Sequence, residues 1–188
     1  MIRPFAPTDH DYDAACAIHD AAWPEYPSTA EEMRVRDSMR PPHIRQHRLL
    51  AEVDGRPVGF GSIGNAVWSF DPRQFHYDVE VHPDFRRRGI GAALVDALAA
   101  AVADAEPTHL KTWTREDQPD ALAMLARRGY VENMRAWESR LTLAGFDRAR
   151  LGDVDAKPLS HGLRLTDFAT LCREEDEEEA HRKLYDME

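Results

Sequence analysis

The chain has 188 residues, 43% of them hydrophobic, which suits one domain plus an appendage built around a real core. A formal charge of −10 argues against nucleic acid as a partner, and two cysteines, Cys16 and Cys172, give neither a disulfide framework nor a zinc pattern. No run reaches the ~20 apolar residues of a membrane span, and the opening MIRPFAPTDHDYD lacks the apolar stretch of a signal peptide, so a cytoplasmic protein with no membrane partner is the expectation.

Ile2 to Phe5 reads as a first strand. Asp11 to Ala22 follows as a helix, with Ala14, Ala15, Ile18 and Ala22 at helical spacing, and Pro24 ends it. Ser28 or Thr29 caps a second helix that runs to Arg40, where Pro41-Pro42 stops it. Arg48 to Val53 and Pro57 to Ile63 form a hairpin around Asp54-Gly55. Phe75 to Val81 is a further strand, and Ile90 to Ala103 is a helix rich in Ala, Leu and Val. His109 to Thr114 is a strand, Gln118 to Arg128 a helix closed by Gly129, and Tyr130 to Leu141 one bent or two short final strands.

Val81 to Ala92, VHPDFRRRGIGA, is the most informative stretch. Strand, glycine turn and helix start gather backbone N–H groups around a phosphate. Gly89 and Gly91 let the backbone approach a ligand without a Cβ in the way. The helix start adds partial positive charge, and Arg86, Arg87 and Arg88 add full charges, so the simplest target is a pyrophosphate.

The spacing Arg86-x-x-Gly89-x-Gly91 resembles the acetyl-coenzyme A signature of the GNAT acetyltransferase superfamily, and Val81-His82-Pro83-Asp84-Phe85 resembles that family's strand exit. The resemblance covers about residues 1 to 145. It implies an α/β (α+β) fold, a strongly twisted mixed sheet with helices on both faces, and acetyl-CoA as cosubstrate with no metal. It also implies an N-acetyltransferase passing acetyl to a primary amine of a small molecule by direct, sequential transfer. By the same resemblance the Val81 N–H is the oxyanion donor. The N–H groups from Arg87 through Gly89, Ile90, Gly91 and Ala92 hold the pyrophosphate. Arg86 fills the first motif position, and Arg87 and Arg88 reach the adenosine phosphates.

By the same resemblance, the general base is a carboxylate on the strand before the turn. Glu80 is the first candidate and Asp78 the second; two residues apart, they share a face. A bulge there would flip which side chains meet the cleft. His76 and His82 read as surface residues. The family's second motif corresponds to Gln118, Ala121, Met124 and Leu125, then Gly129-Tyr130. Gln118 takes the place of an asparagine that contacts cofactor. Leu125 stands where a tyrosine usually protonates the departing thiolate. Tyr130 or Tyr77 then serves instead, or the thiolate leaves unassisted, or the unit binds acyl-CoA without catalysing transfer.

Residues 146–188 form a linker and an acidic tail. From Leu159 onward the tail carries nine acids against four bases. Leu163-Arg164-Leu165-Thr166 echoes Ile2-Arg3-Pro4-Phe5, so this segment reads either as the opening strand and helix of a second, truncated GNAT unit of a tandem, mycothiol synthase-like protein, or as a packed or disordered tail. A homodimer or such a second domain are the open macromolecular partners.

Three other signals are set aside. Gly59-Phe-Gly61-Ser-Ile-Gly64 fits a dinucleotide pattern but no helix follows it, so its glycines serve close packing or a bulge. Ser62 has no glycine two residues before it and is no nucleophile elbow. His43 and His47 lack a third ligand. Trp23, Tyr26, Trp68 and Trp113 are open between a core role and an acceptor pocket.

Overall fold

The computed structural model describes residues 1–154 and 156–186. The chain divides into two compact units, Met1–Glu132 and Asn133–Glu188.

The first unit is built on a five-stranded sheet in the order β1 (Ile2–Pro4), β2 (Gln46–Val53), β3 (Arg56–Gly64), β4 (Gln74–Val81), β5 (His109–Lys111). All neighbours are antiparallel except β4 and β5, which run parallel. Two helices, α1 (Asp9–Ala22) and α2 (Ala30–Ser38), come between β1 and β2, while α3 (Ile90–Ala101) joins β4 to β5 and α4 (Pro119–Arg127) follows β5. The sheet is thus mixed, as expected.

Local chemistry explains the boundaries. Thr8 caps α1 and Thr29 caps α2; at Thr29 the Glu32 side chain returns to the cap N–H, completing a capping box. Asp54 and Gly55 adopt positive φ of 51° and 76°, the mirror-image turn that matches the twist of a tight hairpin.

Pleating sends alternate side chains to two cores. Ile63, Phe75 and Tyr77 pack with Val95, Leu98 and Val102 of the α3 side. Full burial of each leucine or phenylalanine there contributes about 1.5–3 kcal/mol. Tyr12, Ala15, Cys16 and Met33 form the α1–α2 cluster, with Phe5 and Phe60 against it. Glycines let α3 lie close on β3. A Cβ at Gly59 would stand 3.1 Å from Ile90 and Leu94, and one at Gly61 3.0 Å from Leu98. Gly59 and Gly61 of the Gly59–Gly64 pattern therefore serve helix-on-sheet packing, as the strand context indicates.

Ion pairs fasten the helices. Asp37 accepts from Tyr12, Arg40 and Arg48, tying α2 to α1 and β2. Asp11, 2% exposed, accepts from both terminal nitrogens of Arg3 at 2.6 and 2.7 Å and from the Ala6 N–H.

Two expectations are corrected. Residues 130–143 form no strand. Val131, Met134, Trp137 and Leu141 are all exposed, so these apolar side chains bury too little to favour extended pairing. Residues 163–166 are likewise not a strand: Leu163 and Leu165 are exposed, and no pairing partner is recorded among the described residues. The second unit contains instead three short helices, α5 (Ala156–Ser160), α6 (Phe168–Glu174) and α7 (Glu177–Tyr185). Asp167 and Asp176 cap the last two.

Candidate functional site

The sheet opens where β4 passes β5. Their pairing covers only Gln74–His109, Phe75–Leu110 and His76–Lys111. On its other side β4 stays in register with β3 from His76 to Val81 without a bulge. The His82 N–H donates to Val58 O at 2.9 Å, which fixes the phase of that ladder. In an antiparallel pair the hydrogen-bonded positions alternate. Glu80 and Asp78 therefore exchange backbone bonds with β3, whereas the N–H and C=O of Val79 and Val81 point to the open edge. The Arg86 guanidinium donates to Val81 O at 3.1 Å, leaving the Val81 N–H as the edge donor next to the turn.

The turn itself presents a bare helix start. Gly89 caps α3 at φ 78°, a left-handed geometry that costs side chains other than glycine, and no side chain caps the helix. The first intrahelical bond runs from the Ala93 N–H to Gly89 O, so the N–H groups of Ile90, Gly91 and Ala92 have no intrahelical acceptor. A Cβ on Gly89 would meet nothing within 4 Å. The three arginines differ in their engagement. Arg86 folds onto β4, Arg88 stacks over Phe85 at 5.0 Å, and exposed Arg87 pairs with Asp120 in the first turn of α4. Arg87 also holds a positive φ of 64° without being glycine, a local strain at the centre of the turn.

Helix α4 is held beside this cradle by Arg128, which donates to Ala92 O and to Asp96 of α3. Gln118 sits at the α4 N-cap and makes no side-chain cap bond. Leu125 packs against the α3-side core, and so does Tyr130, whose ring centroid lies 6.0 Å from that of Tyr77. The Tyr77 hydroxyl is buried and finds no hydrogen-bond partner among the described residues. Burial pushes this phenol far up, so it stays protonated. Tyr77 and Tyr130 thus lie on the face of β4 opposite Glu80.

Asp78 and Glu80 face α1, and the continuous register keeps them together there. Burial raises both carboxyls above the ordinary range. At Glu80 the effect is partly offset by His19 and Trp23; at Asp78 it is opposed by His76 and His19. Asp78 remains solvent-accessible although protein surrounds it. His19 of α1 is the residue that sequence reasoning missed: its Nδ1 lies 2.8 Å from Glu80 Oε1. Across the cleft Arg115 stacks over Trp23 at 5.6 Å and pairs with Glu25. Trp68 and Trp113 are 79% and 55% exposed, so they are surface residues rather than core. His43 stacks on Phe70, and among the described residues no three His, Cys, Asp or Glu side chains are grouped to hold a metal ion.

An open strand edge leading into an uncapped, glycine-lined helix start is an anion cradle beside a line of free backbone donors. The sequence profile of the acetyltransferase (GNAT) family matches residues 12–130, which span this whole arrangement. The chain belongs to the GNAT family. It is 32% identical over 126 residues to a mycothiol acetyltransferase of Parafrankia sp. (strain EAN1pec), covering 66% of this chain and 36% of that protein. It is 41% identical over 78 residues to an L-2,4-diaminobutyric acid acetyltransferase of Nocardia farcinica (strain IFM 10152), covering 42% of this chain and 40% of that protein. In fold it resembles a tandem GNAT protein from the clavulanic acid biosynthesis pathway, with a TM-score of 0.55 at 22% identity, covering 69% of this chain and 43% of that one. The chain spans 36%, 39% and 33% of the length of three mycothiol acetyltransferases that it matches. The expected GNAT fold is thus present.

Proposed function

We propose that the chain forms an acetyl-CoA-dependent N-acetyltransferase unit acting on a primary amine of a small molecule by direct, sequential transfer. The observation that carries this reading is the continuity of the free β4 edge, at Val79 and Val81, with the bare start of α3. The residues present fit the cosubstrate. Ile90, Gly91 and Ala92 offer unpaired N–H groups, Gly89 leaves its surface open, and Arg86, Arg87 and Arg88 carry positive charge beside them. Gln118 offers an uncommitted amide at the neighbouring helix start.

Acetyl-CoA supplies the thioester whose C–S bond is exchanged for an amide C–N bond. The Val81 N–H stabilises negative charge on the thioester oxygen from the open edge. Glu80, or Asp78 beside it, takes the proton that the acceptor ammonium must lose before its nitrogen can attack. A thiol with an ordinary pKa near ~8.5 is a tolerable leaving group without a dedicated acid. This matters because Leu125 has no proton to give. Tyr130 is the remaining candidate proton donor to sulfur, because the Tyr77 hydroxyl is buried and burial makes that phenol a weaker acid still.

A small amine as acceptor is supported by the two carboxyls in the cleft and by the diaminobutyrate relative. The test is a screen of amines, with L-2,4-diaminobutyrate first, for acetyl-CoA-dependent thiol release. Turnover lost in Glu80→Gln with acetyl-CoA binding retained supports the assignment; unchanged turnover removes Glu80 from the role of base. A second reading has its own support in Leu125, which is partly buried and packs against the α3-side core. In it the unit binds acyl-CoA without catalysis, and residues 146–188 open a further unit of a tandem protein. Binding of acetyl-CoA with no turnover across the amine panel favours that reading.

A further inference from the structure

His19 lies on α1, 61 residues from Glu80 in sequence, and both of its ring nitrogens face acceptors. Nε2 lies 2.8 Å from the Tyr26 carbonyl oxygen, and Nδ1 lies 2.8 Å from Glu80 Oε1. A carbonyl oxygen only accepts, so Nε2 carries a proton. A second proton then sits between Nδ1 and the carboxylate. The ring is 29% exposed and the carboxyl 15%, so little water competes for either contact.

We propose that His19 is a positioning residue for Glu80: an imidazolium, pinned by the Tyr26 carbonyl, that holds the buried Glu80 carboxylate ionised and in one orientation on the acceptor side of β4. This rests on the proposed acetyltransferase reading for its purpose, but its geometry is independent of it. The charged and titratable groups around the pair agree. On β4, Asp78 faces the same side and favours a cation at His19, while His76 lies beyond it. On α1, Asp20 adds further negative charge. From the loop after α1, Trp23 supports the carboxylate, and in the loop after β5 the Arg115 cation is engaged by Glu25 and Asp117. Burial disfavours charge on both partners, yet the contacts with Glu80, Tyr26 and Asp20 together raise the His19 ring above its ordinary value.

The consequence for transfer is specific. Without a cation at position 19, burial would push the Glu80 carboxyl further toward its protonated form, which cannot accept the acceptor's proton. With it, the carboxylate is ready as a base and takes the ammonium proton before the freed amine attacks the thioester carbon.

The direct test is ¹⁵N NMR of the histidine rings in the full chain, from about pH 5 to about pH 9. His19 is assigned by comparison with His19→Gln. The expected result is protons on both His19 nitrogens at neutral pH, and a deprotonation midpoint that falls by at least about one pH unit in Glu80→Gln. A singly protonated ring at neutral pH, or a midpoint unmoved by Glu80→Gln, overturns the proposal. The kinetic test uses acetyl-CoA with L-2,4-diaminobutyrate. His19→Gln keeps a neutral hydrogen-bond donor but removes the charge. It is expected to move the acid limb of the rate profile to higher pH and lower kcat about tenfold near neutrality, with KM for acetyl-CoA unchanged. His19→Lys, which restores a cation, is expected to return the limb toward its original position. An acid limb that does not move in His19→Gln overturns the role. Absence of turnover in the wild type, with the ring titration as expected, counts against the acceptor class and leaves the pair established.

Discussion

A Cβ placed on Gly91 would stand 3.6 Å from Cγ2 of Val81, ordinary contact between two side chains. Nothing in the folded chain demands glycine there, and its φ is not positive. On the proposed reading, the demand comes from the cosubstrate that approaches the turn. Gly91→Ala is therefore expected to leave the thermal midpoint unchanged or slightly raised, since alanine favours a helix over glycine by about 1 kcal/mol. The same variant should weaken acetyl-CoA binding about tenfold or more, equal to about 1.4 kcal/mol. A variant that loses stability but keeps affinity would show that the glycine is structural. Melting curves and titration on the same preparation separate the two.

The glycines of β3 predict the opposite pattern. A Cβ on Gly64 would meet the Arg45 carbonyl oxygen at 2.6 Å, a backbone atom that cannot swing away. At Gly61 the neighbour is the tip of Leu98, which can. Gly64→Ala should cost about 1–3 kcal/mol and Gly61→Ala less, both without a direct effect on cosubstrate affinity. Denaturant unfolding of the two variants gives the order.

How much of this was legible in the sequence follows the range of the interactions involved. The elements from Ile2 to Arg128 rest on local signals such as Thr29 with Glu32, Asp54-Gly55 and the glycine turn, and they stand where those signals put them to within a few residues. The shared face of Asp78 and Glu80 was readable from strand periodicity alone. The contact between His19 and Glu80 was not, because no local pattern marks a histidine on a helix that will meet a strand far along the chain. The segment from Tyr130 to Leu141 misled in the other direction. It carries apolar side chains as a strand does, but a strand also needs a partner edge and a face to cover, and neither is written in its own residues.

Asp78 carries a trade between stability and chemistry. Its carboxyl is raised by burial, so the folded chain holds the proton at pH values where the unfolded chain has released it. Stability from this group is present below the unfolded value and declines as pH rises through the folded one. Asp78→Asn removes the ionisation. It should raise the thermal midpoint near neutral pH and leave it unchanged well below the ordinary carboxylate range. If Asp78 shares the proton-accepting role, the same variant slows transfer. A midpoint lowered at neutral pH would contradict the account of its burial.

Asp11 predicts the reverse dependence. The Arg3 guanidinium holds its carboxyl well below the ordinary range. Its contribution is present above the unfolded value near ~3.9 and is lost as pH falls toward the folded one. Asp11→Asn should destabilise the chain by about 2 kcal/mol at neutral pH. It should also flatten the loss of stability on acidification. Thermal melts across the acid range read both effects.

The most direct test of the central claim is calorimetric titration of the chain with acetyl-CoA, beside Gly91→Leu. The account predicts a dissociation constant on the order of 10 μM for the wild type and no measurable binding by the variant, whose circular dichroism spectrum stays unchanged. Absence of binding by the wild type, or equal binding by a folded Gly91→Leu, would contradict the assignment of the open β4 edge and the α3 start as the cosubstrate site.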